Sequence, residues 1–372
     1  MDNLHTSPIF IHSLFRAGST YLFNVFRRSE SGYWCYQEPL NERLLEKAGK
    51  PGGLLKGIEG ANEILRHPKL EKTHTYEFHV VADALVRLFH HEFSYDLYFS
   101  TDKKNLADLT AYFTALRDGA QGRPVFQCCR TTGRVKYLKD VFAGIHIFLW
   151  RNPWDQWWSY KKDHYFDSRN LFISGASELP GFLVALKKEL NIPDFLNVNP
   201  AVKHAYYTSR LLDSTGSYKL FYALWCHAML EAKPQCDLSI SIDELSTSNS
   251  YRNETLEKLG QLGVAGIDFE DCSIPMAGYG ESDGTFFSGA EDRVHELLMS
   301  HGYSAVQLDG LIQLSKERRQ SLVDTSIPGN FAIRDAMYVR EYMRQAEAKL
   351  SEMQTMLFNE RAQSMSRTRQ KV

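Results

Sequence analysis

The stretch Ser7 to Phe26, SPIFIHSLFRAGSTYLFNVF, constrains the fold more than any other part of the chain. An apolar run of strand length meets Arg16-Ala17-Gly18-Ser19-Thr20 and passes at once into a helical pattern. A strand that enters a helix through so short a turn reads as the first βα unit of an α/β protein. Such a turn aims backbone amides, hydroxyls and one guanidinium at a single spot, where the first unpaired N–H groups of the helix also converge. That is a cradle for phosphate or sulfate. The pattern Gly-x-x-x-x-Gly-Lys-Ser/Thr is absent and no Lys precedes Ser19-Thr20, which excludes the nucleoside triphosphatase form of the loop. A strand, a Gly turn and a Ser/Thr helix cap also occur for structural reasons alone, so a second motif must decide.

That second motif is Ile145 to Tyr160, IHIFLWRNPWDQWWSY, again a strand-length apolar run broken by Arg151-Asn152-Pro153 and followed by helix-compatible residues. Pro153 suits a first helical turn, which puts Arg151 at the strand's C-terminal end and Ser159 about two helical turns further on. An arginine grips a phosphate with two parallel hydrogen bonds, and a serine hydroxyl can add a third.

Taken together, Arg16-Ala17-Gly18-Ser19-Thr20 after the first strand, with Arg151-Asn152-Pro153 and Ser159 after a later one, resemble the sulfotransferases that use 3′-phosphoadenylyl sulfate (PAPS). The resemblance spans roughly Ser7 to Asp271, including Leu224-Trp225-Cys226-His227 and the strand-like Asp237 to Leu245. It implies a P-loop-like three-layer α/β sandwich. It also implies that Arg16, Ala17, Gly18, Ser19 and Thr20 hold the 5′-phosphosulfate, and that Arg151 and Ser159 hold the 3′-phosphate. Arg16 stands where many cytosolic members have Lys, and Ala17 where Ser or Thr is usual, so charge is kept and one hydroxyl contact is lost. The histidine base of the phenol and steroid enzymes, which follows their third strand within a Lys-x-His pattern, has no counterpart directly after the strand at 124–129. In its place, Glu38 of Glu38-Pro39-Leu40 resembles the glutamate after the second strand of bacterial and Golgi carbohydrate sulfotransferases, some of which use it as general base. Glu38 is therefore the expected base and Arg16 the expected stabiliser of the leaving group, acting on a hydroxyl of a carbohydrate or glycolipid acceptor. Protein tyrosine, a small alcohol, or a catalytically inactive nucleotide-binding scaffold are the alternatives.

Each of these residues also has a plainer reading. Glu38 before Pro39 suits a helix start, where negative charge favours the dipole, and Arg151 could pair with Asp155. Trp154, Trp157 and Trp158 at helical spacing read as core rather than as stacking partners for adenine. Arg130 and Arg134 follow a strand at 124–129 and could grip an anion or form ion pairs. No metal is expected, since Cys-x-x-Cys and His-Glu-x-x-His are missing, and adjacent His90 and His91 cannot face one ligand from a helix.

Strands are expected at 7–14, 33–36, 124–129, 145–150 and 237–242, alternating with helices at 19–29, 134–142 and 154–165, which predicts a parallel sheet covered on both faces. A helical insertion at about 41–118 carries Tyr76, Phe78, Tyr95, Tyr98 and Phe99 as candidates for an acceptor wall or for core. The domain is expected over 1–330 and a helical tail over 331–372, where Val339, Met343, Ala346, Leu350, Met353 and Leu357 form a heptad seam suited to docking or self-association. Gly278 to Gly284 reads as a Gly-rich loop in the chain position of a cofactor lid. With 43 basic and 45 acidic residues the chain offers no general nucleic-acid surface. No run approaches the roughly 20 apolar residues of a membrane span. Six cysteines without a disulfide-rich pattern and a polar start without a leader make the expected protein cytoplasmic and bacterial in style.

Overall fold

The computed structural model describes residues 7–56, 72–161, 164–195, 200–344 and 346–347. The chain opens with β1 (Ile9–Ser13), α1 (Ser19–Arg27), β2 (Tyr33–Gln37) and α2 (Arg43–Ala48), and continues with α3 (Ala82–Leu88) and α4 (Ala107–Asp118) of the insertion. Then come β3 (Arg123–Cys128), α5 (Val135–Val141), β4 (Ile145–Trp150), α6 (Pro153–Tyr160), α7 (His164–Ile173), α8 (Gly181–Glu189), α9 (Pro200–Ser209) and α10 (Ser214–His227). The last part holds β5 (Leu238–Ser241), α11 (Ile242–Thr247), α12 (Asn249–Gln261), β6 (Tyr279–Gly280), α13 (Glu281–Ser300), α14 (Ala305–Leu322) and β7 (Val323–Asp324).

The central sheet has five strands in the order β2-β3-β1-β4-β5, every pairing parallel. β1 and β3 read as near-continuous buried runs because strands covered on both faces have no solvent side to mark with polar residues. Alternation along β1 sorts the two faces. Ile9 and Ile11 pack with Leu22, Phe26 and Ile147 on the α1 side, while Phe10 packs with Tyr36, Phe113 and Phe126 on the α4 side. The architecture is therefore an α/β sheet with helices on both faces. The expected strands fall within two residues of the observed ones at each end.

One expectation changes and two open readings narrow. The helix placed at 154–165 ends at Tyr160, and α7 begins separately at His164. The aromatics Phe78, Tyr95, Tyr98 and Phe99 of the insertion are buried core, so they build no open wall. Gly278 to Gly284 is no lid: Tyr279 and Gly280 pair with Val323 and Asp324, and Glu281 starts a 20-residue helix. Asp283, fully buried, fixes that start by accepting from the Gly280 and Asn330 amides.

Beyond β7 a helix over 331–344 lies on the domain. Phe331 stacks on Phe286 at 3.8 Å, and Tyr338 donates to Asp167 at 3.0 Å. Val339 and Met343 of the expected seam are exposed, while Leu350, Met353 and Leu357 lie outside the described residues.

Candidate functional site

Parallel strands of an open sheet present their carboxyl ends, and the loops that follow them, on one edge. The loops after β1, β2, β3 and β4 carry the residues singled out from the sequence. After β1 the chain turns sharply, with Arg16 at φ 63° and Gly18 at φ 89°, before α1 begins. Gly18 is required twice over: its φ is left-handed, and a Cβ there would meet Ile242 Cγ1 at 2.7 Å. Because Gly18 brings no side-chain cap, the first amides of α1 are not satisfied by a capping side-chain oxygen, as those of α6 (Asn152), α10 (Asp213) and α11 (Ser241) are. Ala17 is buried, Ser19 Oγ lies 3.5 Å from Cys129 Sγ, and Thr20 Oγ1 accepts from Gln37 at 3.4 Å.

Arg16 leaves this loop toward α6. Its Nε donates to Ser159 Oγ at 2.9 Å, and its guanidinium lies 4.9 Å from the centre of the Phe166 ring. Residues 143 positions apart are thus joined by one hydrogen bond, across the two motifs that the sequence suggests should meet.

Arg151 behaves differently. Its Nη2 donates to the Pro275 carbonyl at 2.5 Å, and its carbonyl accepts from Trp225. The acid beside it is Asp243, after β5, with Nε and Oδ1 3.7 Å apart, while Asp155 bonds the Ala277 amide and Tyr279 instead. Both Arg151 Nε and Asp243 Oδ1 are buried without a hydrogen-bond partner. Burial holds the Asp243 carboxyl above its ordinary pKa, against the Asn152 amide and the Arg151 charge. No hydrogen bond joins Arg151 to Ser159. An orphaned guanidinium nitrogen near a strand end suits an anion.

Glu38, the second left-handed non-glycine residue at φ 50°, emerges from β2 with its amide on the Gln127 carbonyl at 2.7 Å. Its Oε1 accepts from Gln127 Nε2 at 3.1 Å and the Cys129 amide at 2.9 Å, and its Oε2 accepts from Arg130 Nη1 at 2.5 Å. A carboxylate has about four lone-pair sites, so Oε2 keeps room for one more donor. Arg130 continues to Glu42 at 3.1 Å, and Glu42 in turn accepts from Arg169 at 2.7 Å. The row Glu38, Arg130, Glu42, Arg169 alternates in sign. Burial opposes the Arg130 charge, but Tyr95, Glu42, Tyr165 and Glu38 outweigh it and lift its pKa well above the ordinary value. Burial likewise pushes the Glu42 carboxyl up, and Arg130 with Arg169 brings it below its usual range.

These contacts decide several of the plainer readings. The Arg130 side chain is 0% exposed, so it reaches carboxylates rather than an acceptor. Arg134 is sealed in the interior, donating to the Phe93 and Arg130 carbonyls, and burial lowers it to about 10. Trp154 and Trp157 are core, and Trp158 packs on that core partly buried. Glu42, Asp243, Arg169 and Gln127 were not read as site residues. Glu42 had a signal, standing four positions after Glu38, one helical turn apart; Arg169 and Gln127 had none, because only the fold brings them near. Among the described residues no group of three or more His, Cys, Asp or Glu could hold a metal, and no helix is long and apolar enough to cross a membrane.

No family model, curated protein or solved structure matches the chain. What the site can do rests on its own geometry: an uncapped helix start, a guanidinium shared between two loops, and a carboxylate with one open acceptor position.

Proposed function

We propose that the protein is a sulfotransferase that moves a sulfuryl group from PAPS to a hydroxyl of a carbohydrate or glycolipid. The observation that carries this reading is the 2.9 Å bond from Arg16 to Ser159. The two phosphate-bearing positions of adenosine 3′,5′-bisphosphate sit on one ribose, so the groups that hold them must come within a few ångströms of one another. Arg16, Gly18, Ser19 and Thr20, with Ala17 as the packed residue of the loop, take the 5′ side; Ser159 and Arg151 take the 3′ side. The acceptor oxygen attacks sulfur, the bond from sulfur to the 5′-phosphate oxygen breaks, and that oxygen departs with the nucleotide. Glu38 Oε2 takes the proton of the attacking hydroxyl, a role typically worth about 10²–10⁴-fold. Arg16 and the α1 amides receive the charge that gathers on the leaving oxygen, and removing one such donor typically costs about 10²–10³-fold.

The carbohydrate choice rests on the likeness of Glu38-Pro39-Leu40 to that class and on the open position being on a carboxylate, a good acceptor for sugar hydroxyls. Sulfation of protein tyrosine or a small alcohol is separated from it by acceptor profiling. One observation favours a second reading, a nucleotide-binding scaffold without transfer: Glu38 is already ion-paired with Arg130. Free, mostly buried cysteines support a reducing, cytoplasmic setting. Exposed Val339 and Met343 support association of copies through the tail.

Calorimetric titration with adenosine 3′,5′-bisphosphate tests the reading, with adenosine 5′-phosphate and magnesium-ATP as controls. Micromolar binding that needs the 3′-phosphate is expected; no binding, or preference for magnesium-ATP, overturns it. Turnover abolished by Glu38→Gln separates the enzyme from the scaffold.

A further inference from the structure

Glu38 alone does not explain why its carboxylate stands where it does. Its backbone is in the left-handed region, and nothing in its own short side chain fixes the orientation of Oε2. Gln127 and the Cys129 amide hold Oε1, and Arg130 holds Oε2. The guanidinium of Arg130 is packed between two rings, 5.1 Å from the centre of Phe15 and 5.2 Å from that of Tyr95, and its Nε donates to Tyr95 at 3.1 Å. Held in this way it has one heading, and it spends one face on Glu38 and the other on Glu42.

We propose that Arg130 is the positioning residue for Glu38: from the sealed interior it fixes Oε2 and leaves that oxygen a second acceptor position. The inference rests on the proposed sulfuryl-transfer reading only in naming what Oε2 receives.

The charges support this assignment over simple packing. Four side chains of alternating sign are neutral in sum, and both cations lie deeper, 0% and 4% exposed, than the two carboxylates, at 17% and 20%. A pair that served stability alone has no need to turn its acidic members outward, since a buried ion pair is at best weak evidence of stabilisation. Glu42 competes with Glu38 for the same guanidinium. Arg130 holds Glu38 through Nη1 and Glu42 through Nη2, so one fixed fork sets the heading of both carboxylates.

The test is the crystal structure of Arg130→Met and of Glu42→Gln beside that of the parent. In Arg130→Met the Glu38 carboxylate is expected to turn away from its parent heading, whereas in Glu42→Gln, nearly isosteric, it is expected to keep it. Should Arg130→Met fail to fold, Arg130→Lys carries the test, since a single ammonium lacks the two-sided fork. A Glu38 carboxylate that superposes on the parent's in the folded Arg130 variant overturns the proposal. Calorimetry with adenosine 3′,5′-bisphosphate on the parent keeps the two ideas apart: failure of that binding strikes the donor site and leaves the crystal structures deciding the role of Arg130.

Discussion

Acid should unfold this protein early, and the cause is a set of histidines in its interior. His12 on β1 and His146 on β4 lie side by side in the sheet, Nε2 of the first 3.0 Å from Nδ1 of the second, so that one ring donates to the other. Phe10 stacks on His146 at 4.8 Å, and Thr131 Oγ1 lies 2.8 Å from His12 Nδ1. His227, on α10, packs against Phe99 and Phe182. Burial holds His146 and His227 down to about 4, and it holds His12 well below its ordinary value, with His146 adding to the effect. A depressed histidine is neutral in the fold and protonates in the unfolded chain. Its penalty is therefore absent above about pH 6.5 and grows as pH falls from there toward about 4. At pH 5, a shift from about 6.5 to about 4 costs roughly 2 kcal/mol per group, so His146 and His227 together remove about 4 kcal/mol, with His12 adding in the same direction. That is a large part of the usual stability of about 5–15 kcal/mol. Asp243 and Glu77, held up by burial, work the opposite way over lower pH, while burial also depresses His74, His204 and His295, which add to the side of the other histidines. The assay is urea unfolding at pH 7.5 and pH 5.0 for the parent and for His227→Phe, which keeps the ring contacts and deletes the proton site. The variant should lose about 2 kcal/mol less between the two pH values. An equal loss in both proteins would refute the assignment of buried, neutral histidine to this position.

Other substitutions probe the loops. Arg151→Ala should weaken adenosine 3′,5′-bisphosphate far more than adenosine 5′-phosphate in calorimetry, whereas Asp243→Asn, which frees Arg151 from its neighbouring charge, should tighten the bisphosphate several-fold; equal effects on both nucleotides would remove Arg151 from the 3′-phosphate. Comparing Arg16→Gly with Arg16→Ala isolates the backbone: both lose the side chain, but at φ 63° glycine should be the more stable by about 1 kcal/mol in thermal unfolding, contrary to the usual order of these residues. Gly18→Ala, which combines a left-handed φ with a Cβ 2.7 Å from Ile242, should cost about 1–3 kcal/mol and abolish bisphosphate binding, and an unchanged melting temperature would contradict the geometry.

Strands were the most legible part of the sequence because a doubly covered parallel strand announces itself as an unbroken apolar run between turn residues. Ile145 to Trp150 was placed to the residue, and β1, β2, β3 and β5 nearly so. Helix ends were harder. Nothing local at Trp158-Ser159-Tyr160-Lys161 stops a helix, and α6 ends there by tertiary arrangement, with Lys161 drawn to Asp167 at 2.8 Å. The glycines at 278, 280 and 284 suggested mobility, but Gly280 is needed because the Gly329 backbone comes within 2.2 Å of where its Cβ would stand, and Gly284 because Val323 packs against it. Close approach and flexibility leave the same letter in a sequence.

The site was legible in a similar, partial way. The loops of Arg16 and Ser159 could be set on one edge of the sheet because each follows a strand and enters a helix, but the sequence grouped Ser159 with Arg151, and the hydrogen bond it makes is to Arg16. The partners of Arg151 and Glu38 could not be read, since ion-pair choice depends on which charges the fold brings to a few ångströms, and Asp243 and Arg130 carry no local mark of it. One trace of function shows instead in the backbone. Among the described residues only Arg16, Glu38 and Asn191 are non-glycine residues at positive φ. Asparagine tolerates that conformation easily and ends a helix with it. Arginine and glutamate do not, and each such position costs about 1–3 kcal/mol. Glycine at either place would relieve the strain at once, so the contacts of the two side chains, Arg16 with Ser159 and Glu38 with Arg130, are kept at the expense of backbone strain. The two coincide with the residues proposed to hold the leaving group and take the proton, and the comparison of Arg16→Gly with Arg16→Ala measures the strain at the first of them directly.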